Sequence, residues 1–229
     1  MSPRYSLVVP VYNEAENIPP LLHSAASLLE TLSGDHEIIL VDDGSTDSSP
    51  VEIAAASEKY PQLRVLRHGT NQGQAAALLN GLRAARGEFI LTMDGDGQND
   101  PRDFPLLLAP VESGQLDLAC GWRVDRHDSH IRRLMSRLGN RVRRRILGDS
   151  MQDSGCQLRV MRREVVHVLF PVDLMQSFLP SIVAAAGYKV GEFPVRHHAR
   201  TRGHAHFGLR QLWWRPAVAL FQVRRQLRR

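Results

Sequence analysis

Apolar residues in the first hundred positions fall into short unbroken runs separated by longer periodic stretches. Ser6-Leu7-Val8-Val9-Pro10-Val11, Glu37-Ile38-Ile39-Leu40-Val41, Leu63-Arg64-Val65-Leu66 and the stretch 88–93 have the look of strands. Runs that are apolar at nearly every position mark strands buried on both faces. Between them Leu21, Leu22, Ala25, Leu28, Leu29 and Leu32 recur at helical spacing and stop at Gly34-Asp35. A second helix reaches Tyr60 with Ser48-Ser49 as its cap, and a third opens at Asn71-Gln72-Gly73-Gln74 and closes near Arg86-Gly87. This alternation predicts a mostly parallel, doubly wound α/β sheet with right-handed crossovers. Ligands in such sheets bind beyond the carboxyl ends of the strands, here Asn13-Glu14, Asp42-Asp43 and Asp94 to Asp96.

The pattern changes after Pro101. A helix through Phe104, Leu107 and Leu108 precedes a strand at Asp117-Leu118-Ala119-Cys120-Gly121. Next, Leu134, Leu138, Val142 and Ile146 line one side of a helix whose other sides carry Arg132, Arg133, Arg137, Arg141, Arg143, Arg144 and Arg145. Two helical pieces follow around 164–170 and 177–186, then a strand over 188–196 and a basic loop from Arg200 to Phe207. In the last segment Leu209, Leu212, Trp213, Leu220, Val223 and Leu227 are roughly helix-periodic among arginines. Two readings stand: an interfacial helix with Trp213 and Trp214 at lipid headgroups, or a helix packed on the domain with a solvated basic face. Pro216 predicts a kink or the true start of that helix. The expected organisation is a domain over 1–207, split near 118 into two halves, and a basic amphipathic tail over 208–229.

Charge sharpens that split. Residues 1–118 hold 17 acids against 7 bases, and residues 119–229 hold 7 acids against 22 bases, within a net charge of +5. An acidic half that collects a metal and a basic half that faces anions is the natural reading. The longest uncharged stretch, Leu174 to Tyr188, is 15 residues and includes Pro180, short of a membrane span. Two scattered cysteines exclude a disulfide framework or zinc site and fit a reducing compartment; no secretory signal is expected at the start. No Gly-x-Gly-x-x-Gly follows the first strand and no phosphate-binding Gly-Lys-Ser/Thr loop occurs, which argues against dinucleotide and NTPase functions. The basic half has no nucleic-acid-binding motif, so no nucleic-acid partner is expected.

The candidate chemistry lies in Thr92-Met93-Asp94-Gly95-Asp96-Gly97-Gln98. Two carboxylates one residue apart at a strand end suit a hard divalent ion such as Mg²⁺ together with substrate phosphates. Asp-Gly is also common turn chemistry, and a polar turn is the alternative.

Taken together, Val9-Pro10-Val11-Tyr12-Asn13-Glu14, Val41-Asp42-Asp43-Gly44-Ser45-Thr46-Asp47 and Met93-Asp94-Gly95-Asp96-Gly97-Gln98 resemble family-2 glycosyltransferases with the GT-A fold. Arg123, Arg126 and Asp153-Ser154-Gly155-Cys156-Gln157-Leu158-Arg159 resemble the polyprenyl-phosphate branch, which includes dolichol-phosphate mannosyltransferase and undecaprenyl-phosphate sugar transferases. The resemblance implies that Pro10, Tyr12, Glu14 and Asp43 hold the nucleotide of a UDP- or GDP-sugar. It implies Asp94, Asp96 and Gln98 as ligands of Mg²⁺ or Mn²⁺, and Arg123, Arg126, Arg200, Arg202 and His206 as contacts to anionic oxygens. An inverting attack by an ionised lipid phosphate needs no strong base; a hydroxyl acceptor does, and Asp153 stands where that base would be. A third possibility is a regulatory subunit that binds sugar nucleotides without catalysis. The site implied is the cytoplasmic face of a membrane, reached through the basic half, with a membrane partner subunit or a second copy. His206 stands where the branch carries Lys, so its charge depends on pH near neutrality. A pH–rate profile of His206→Lys is expected to lose an inflection that the wild type has.

Overall fold

A computed structural model describes residues 2–124, 130–199 and 215–227. Seven strands form one sheet in the order β3-β2-β1-β4-β6-β5-β7. In chain order they are β1 (Tyr5–Val11), β2 (His36–Asp42), β3 (Leu63–Arg67), β4 (Phe89–Thr92), β5 (Leu118–Arg123), β6 (Arg159–Arg162) and β7 (Val190–Val195). The helices are α1 (Ile18–Leu29), α2 (Ser49–Lys59), α3 (Gln74–Ala84), α4 (Phe104–Glu112), α5 (His130–Leu147), α6 (Met175–Ala185) and α7 (Arg215–Gln226). The expected α/β sheet is present: β1 to β4 are mutually parallel, and β5 and β7 are parallel to each other.

The alternation hidden inside the apolar runs sets the two layers. Leu7, Val9 and Val11 of β1, Ile38 and Leu40 of β2 and Phe89 and Leu91 of β4 pack on one side with α1, α2 and α4. Val8, Ile39, Val41 and Ile90 turn to the other side, against α3, α6 and α7. Because both faces are covered, every residue of β1 is buried, and polarity cannot alternate along it.

One strand was not expected. The segment 159–162 forms β6, inserted antiparallel between β4 and β5, with Thr92 opposite Arg159 and Cys120 opposite Arg159. The expected helical piece around 164–170 is a short 3-10 turn, Arg163–Val168. The cap of α2 also differs. Ser48 makes no capping bond, whereas Ser49 Oγ accepts from the Glu14 N–H at 3.0 Å and so ties α2 to the loop after β1.

Of the tail, residues 215–227 are described and pack on the domain, whereas Trp213 and Trp214, on which the interfacial reading turns, lie outside the described residues. Ala219, Leu220 and Val223 of α7 are buried in the same core as Leu179 and Ile182 of α6, with Pro216 in the helix's first turn. Val218 and Phe221 face outward at 47% and 63% exposure. Among the described residues no helix is long and apolar enough to cross a membrane.

The end of β7 is stitched to the turn after β4 by charge. Asp103 accepts from the Arg196 N–H and guanidinium at 2.6 to 2.9 Å. Asp100 accepts from the Arg102 backbone and guanidinium at 2.8 to 3.2 Å, with Arg196 and His198 close by. Burial alone would push the Asp100 carboxyl up; the Arg102 and His198 hydrogen bonds and the Arg196 charge outweigh it and hold it well below the usual range.

Two predictions follow from this packing. A Cβ on Gly81 of α3 would come 2.4 Å from Val8 Cγ1 and 2.9 Å from Val41 Cγ2. In an open helix Gly→Ala stabilises by about 0.5–1 kcal/mol; here the sign reverses, and urea unfolding of Gly81→Ala should show a loss of about 1–3 kcal/mol. Asp100 has a folded pKa below the roughly 3.9 of an unfolded chain. It therefore stabilises the fold above that value and loses this contribution as pH falls toward the folded value. Asp100→Asn should be less stable at neutral pH and should lose less stability than the wild type on acidification below about 4, as read by denaturation at a series of pH values.

Candidate active site

The loops leaving β1, β2 and β4 open onto a cavity of about 1050 Å³, closed on its far side by residues 171–176 and by Gln222 of α7. Pro10, Tyr12, Glu14, Asp43, Asp94 and Asp96 all line it. These six are candidate residues drawn from three separate strand ends, and the parallel register brings them to one edge. The β1 and β2 loops are also tied to each other. Asn13 adopts a left-handed backbone (φ 54), and its Oδ1 accepts from the N–H groups of Thr46 at 2.8 Å and Asp47 at 3.3 Å. Asn tolerates that conformation better than most residues. Glu14, 7% exposed, accepts from Asn17 Nδ2 at 2.5 Å.

The Asp94-Gly95-Asp96 turn is pressed against β1. A Cβ on Gly95 would sit 2.6 Å from Val11 Cγ1 and 2.9 Å from the Pro10 carbonyl oxygen, so glycine is required for the approach. The Asp94 N–H donates to Asn99 Oδ1 at 3.0 Å, and Asp96 Oδ1 accepts from the Gln98 N–H at 3.1 Å. Asp94 Oδ1 accepts from Gln74 Nε2 at 2.7 Å, and Gln74 Oε1 accepts from Gln176 Nε2 at 3.1 Å. Gln98 is placed apart from the two carboxylates' cavity: its Nε2 donates to the His198 carbonyl at 3.1 Å, and it does not line the cavity. Among the described residues no group of three or more His, Cys, Asp or Glu side chains is arranged to hold a metal ion. The protein therefore presents a pair of carboxylates, a donor set that suits a hard cation sharing its remaining positions with phosphate oxygens and water.

Asp43, 2% exposed, gathers the loop that leads into α3. Its oxygens accept from the Gln72 N–H at 2.9 Å and the Gly73 N–H at 2.8 Å, and from His68 Nδ1 at 2.6 Å. Asn80 Nδ2 lies 2.9 Å from His68 Nε2. An amide nitrogen donates, so the His68 proton is on Nδ1 and faces Asp43. Asp43 thus shapes the 70–73 wall of the cavity as well as lining it.

A second centre lies at the end of β5. Arg123 grips Asp153 as a fork, Nε to Oδ2 at 2.7 Å and Nη2 to Oδ1 at 2.8 Å, and the Arg123 N–H adds a bond at 3.2 Å. Asp153 is 3% exposed, and its own N–H donates to Glu192 Oε1 at 3.0 Å. Burial works against the Arg123 charge, but the Asp153 hydrogen bonds and charge outweigh it and raise its pKa further; the field of Asp94 reaches it too. Gly155 makes room for the pair, since a Cβ there would lie 2.9 Å from Arg123 Nη2. Behind it Arg159 is fully buried, with Nη2 donating to the Ser154 carbonyl at 3.0 Å and Nε and Nη1 without partners. Cys120 and Cys156 are free and buried, and burial pushes both thiols up to about 12, which makes them poor nucleophiles.

Arg126, Arg200, Arg202 and His206 lie outside the described residues. Three residues that no motif marks belong to the site: His68, Gln74 and Gln176. Gln74 stands in the helix-opening sequence Asn71-Gln72-Gly73-Gln74, the only local signal, whereas Gln176 reaches the cavity from 102 positions away. Gln176 is 5% exposed and its Oε1 has no partner, at a cost of about 1–3 kcal/mol.

Comparison with known proteins gives the family and the fold. The chain is 38% identical over 212 residues to dodecaprenyl-phosphate galacturonate synthase of Rhizobium johnstonii, covering 89% of this chain and 62% of that protein. It is 35% identical over 209 residues to undecaprenyl-phosphate 4-deoxy-4-formamido-L-arabinose transferase of Edwardsiella ictaluri, covering 90% and 64%. The chain thus spans a little under two thirds of the length of these relatives. Its fold resembles glucosyl-3-phosphoglycerate synthase from Mycobacterium tuberculosis in complex with phosphoglyceric acid, with a TM-score of 0.75 at 20% identity, covering 96% of this chain and 80% of that one. It also resembles a mannosyltransferase from Pyrobaculum calidifontis in complex with GDP-Man and Mn²⁺, at a TM-score of 0.67 and 21% identity, covering 100% and 65%. The family model for glycosyl transferase family 2 matches residues 6–170, a stretch that holds the β1, β2 and β4 side of the cavity and the Arg123–Asp153 pair, and the chain belongs to that family.

Proposed function

We propose that this protein transfers a sugar from a nucleoside-diphosphate donor to a polyprenyl phosphate, with inversion at the anomeric carbon and with Mg²⁺ or Mn²⁺. The observation that carries the reading is the pair Asp94 and Asp96 on the wall of a cavity of about 1050 Å³, a volume that suits a nucleotide sugar. Relatives named for dodecaprenyl and undecaprenyl phosphate supply the acceptor class, and a structural neighbour bound to GDP-Man and Mn²⁺ supports the donor and metal. In this reading Pro10, Tyr12, Glu14 and Asp43 border the nucleotide, and Asp94 and Asp96 hold the cation. The metal, when bound, offsets the charge that grows on the leaving diphosphate. Gln98 joins them only if its side chain leaves the His198 carbonyl.

The acceptor side follows from the Arg123–Asp153 fork. A phosphate oxygen is ionised near neutral pH and attacks the anomeric carbon directly, as the bond from that carbon to the diphosphate breaks. Rate then comes from positioning and charge stabilisation. Asp153 has both oxygens on a guanidinium, which suits it to holding Arg123. Arg123 keeps further N–H donors for an anion, with Arg126, Arg200, Arg202 and His206 as additional contacts to it. This favours a phosphate acceptor over a hydroxyl acceptor served by Asp153 as base. The outward Val218 and Phe221 of α7 and the basic second half are the surfaces offered to the cytoplasmic face of a membrane.

Asp94→Asn and Asp96→Asn should each reduce formation of a chloroform-extractable sugar lipid at least about 100-fold, with chelation giving the same loss in the wild type. The decisive control is the acceptor: sugar-nucleotide hydrolysis or glycan labelling without lipid product would overturn the phosphate reading. Arg123→Lys keeps the charge but loses the fork; transfer should fall by about 10-fold or more, mainly through KM for the lipid phosphate. A fall of similar size with the nucleotide sugar's KM as the main change would place Arg123 on the donor instead.

A further inference from the structure

The two centres of the site stand on strands that do not pair with each other. Arg123 ends β5, the turn with Asp94 and Asp96 leaves β4, and β6 lies between them in the sheet. A second connection closes across the carboxyl edge. Val195 of the edge strand β7 is in register with Arg123, and the chain then runs through 196–198 to the residues that follow Asp96. There Asn99 and His197 form an antiparallel bridge, the His198 N–H donates to the Gln98 carbonyl at 2.9 Å, and Gln98 Nε2 donates to the His198 carbonyl at 3.1 Å. Gln98 and Asn99 in turn hold the acidic turn. The Asp94 N–H donates to Asn99 Oδ1 at 3.0 Å, and the Gln98 N–H donates to Asp96 Oδ1 at 3.1 Å.

One ion pair locks this bridge. Asp103, 9% exposed and just before α4, accepts the Arg196 N–H on Oδ2 at 2.7 Å, and Arg196 Nε and Nη2 on Oδ1 at 2.9 and 2.6 Å. Three bonds from one carboxylate fix both the backbone and the side chain of Arg196, which sets this pair apart from a single-bond surface contact. Neither residue lines the cavity. We propose that Asp103 and Arg196 are positioning residues for transfer: their ion pair fixes the span between Arg123 and the Asp94–Asp96 turn, and with it the approach of the acceptor phosphate to the donor's anomeric carbon. The inference rests on reading these two centres as the acceptor and donor sides. Transfer between two bound substrates depends steeply on such a span, since a misplacement of about 1 Å can cost about 100-fold in rate. Each substrate still finds its own contacts, so the pair acts on the step between the substrates and not on the binding of either.

Each variant is measured in two ways. Calorimetric titration with UDP and with GDP in Mn²⁺ gives the affinity and the number of intact sites. Single-turnover transfer to undecaprenyl phosphate, from whichever of UDP-glucose, UDP-galacturonate and GDP-mannose the wild type uses, gives the rate per intact site and its half-saturation by the lipid. Asp103→Asn and Arg196→Gln should each lower the per-site rate about tenfold, with nucleotide affinity and lipid half-saturation within about twofold of the wild type. Arg196→Lys, which keeps a charge toward Asp103, should lose less than Arg196→Gln. The double variant should lose no more than about twofold beyond the weaker single one, because both changes break the same pair. A per-site rate left at the wild-type level, a loss that lies mainly in nucleotide affinity or lipid half-saturation, or losses that multiply in the double variant overturns the inference. A wild type that binds neither diphosphate, or labels no lipid, overturns the donor and acceptor reading itself, and this inference with it.

Discussion

Crowding carboxylates at one edge of a sheet is the constraint on which the rest of the site depends. Glu14, Asp43, Asp94 and Asp96 come from three neighbouring strand ends into one cavity, and like charges at short range repel. The fold manages this by giving several of the carboxylates a definite hydrogen-bonding partner. Asp43 faces backbone N–H groups and His68, Asp94 faces Gln74, and Glu14 faces Asn17. The result is a net-negative surface whose carboxylates are held in place by hydrogen bonds, the donor set that the proposed cation and diphosphate call for. The Arg123–Asp153 pair is the counterpart on the other strand group, where a positive group is held by a negative one.

Much of this was legible in the chain. The unbroken apolar runs of β1, β2 and β4 announced strands covered on both faces, and the acidic clusters immediately after them announced the cavity edge. The reason is local: period, run length and the residue at the strand end all lie within a few positions. The strand β6 was not legible. Four residues beginning and ending in arginine have no strand signature of their own. They become a strand because β4 and β5 offer open edges on both sides, and Arg159 is buried with them although two of its nitrogens lack partners. Tertiary pairing overrides local preference there.

The site residues divide along the same line. Asp94 and Asp96 stand out by their spacing alone, and both line the cavity. Gln74 and His68 carry theirs only through what they touch, and Gln176 only through a contact from α6. Gln98 shows the limit from the opposite direction: its spacing suits a third ligand, yet its amide is bonded to the His198 carbonyl, which belongs to the segment that Asp100 and Asp103 anchor through Arg196. Spacing reports where a donor could be; competing partners decide where it points.

The antiparallel insertion of β6 has a consequence for synthesis on the ribosome. Once residue 92 has emerged, β3, β2, β1 and β4 can pair, but the outer edge of β4 is left open until Arg159–Arg162 begins to arrive, 67 residues later. At about 5–20 residues per second that edge is exposed for roughly 3–13 s. It is the strand Phe89-Ile90-Leu91-Thr92, apolar and without a guarding charge of its own, which is the kind of edge that pairs with the wrong chain. The cavity edge built by β1, β2 and β4 is therefore assembled early yet left unprotected. Truncations that end before residue 159 leave that four-residue edge permanently open, a hazard of pairing that is separate from overall stability.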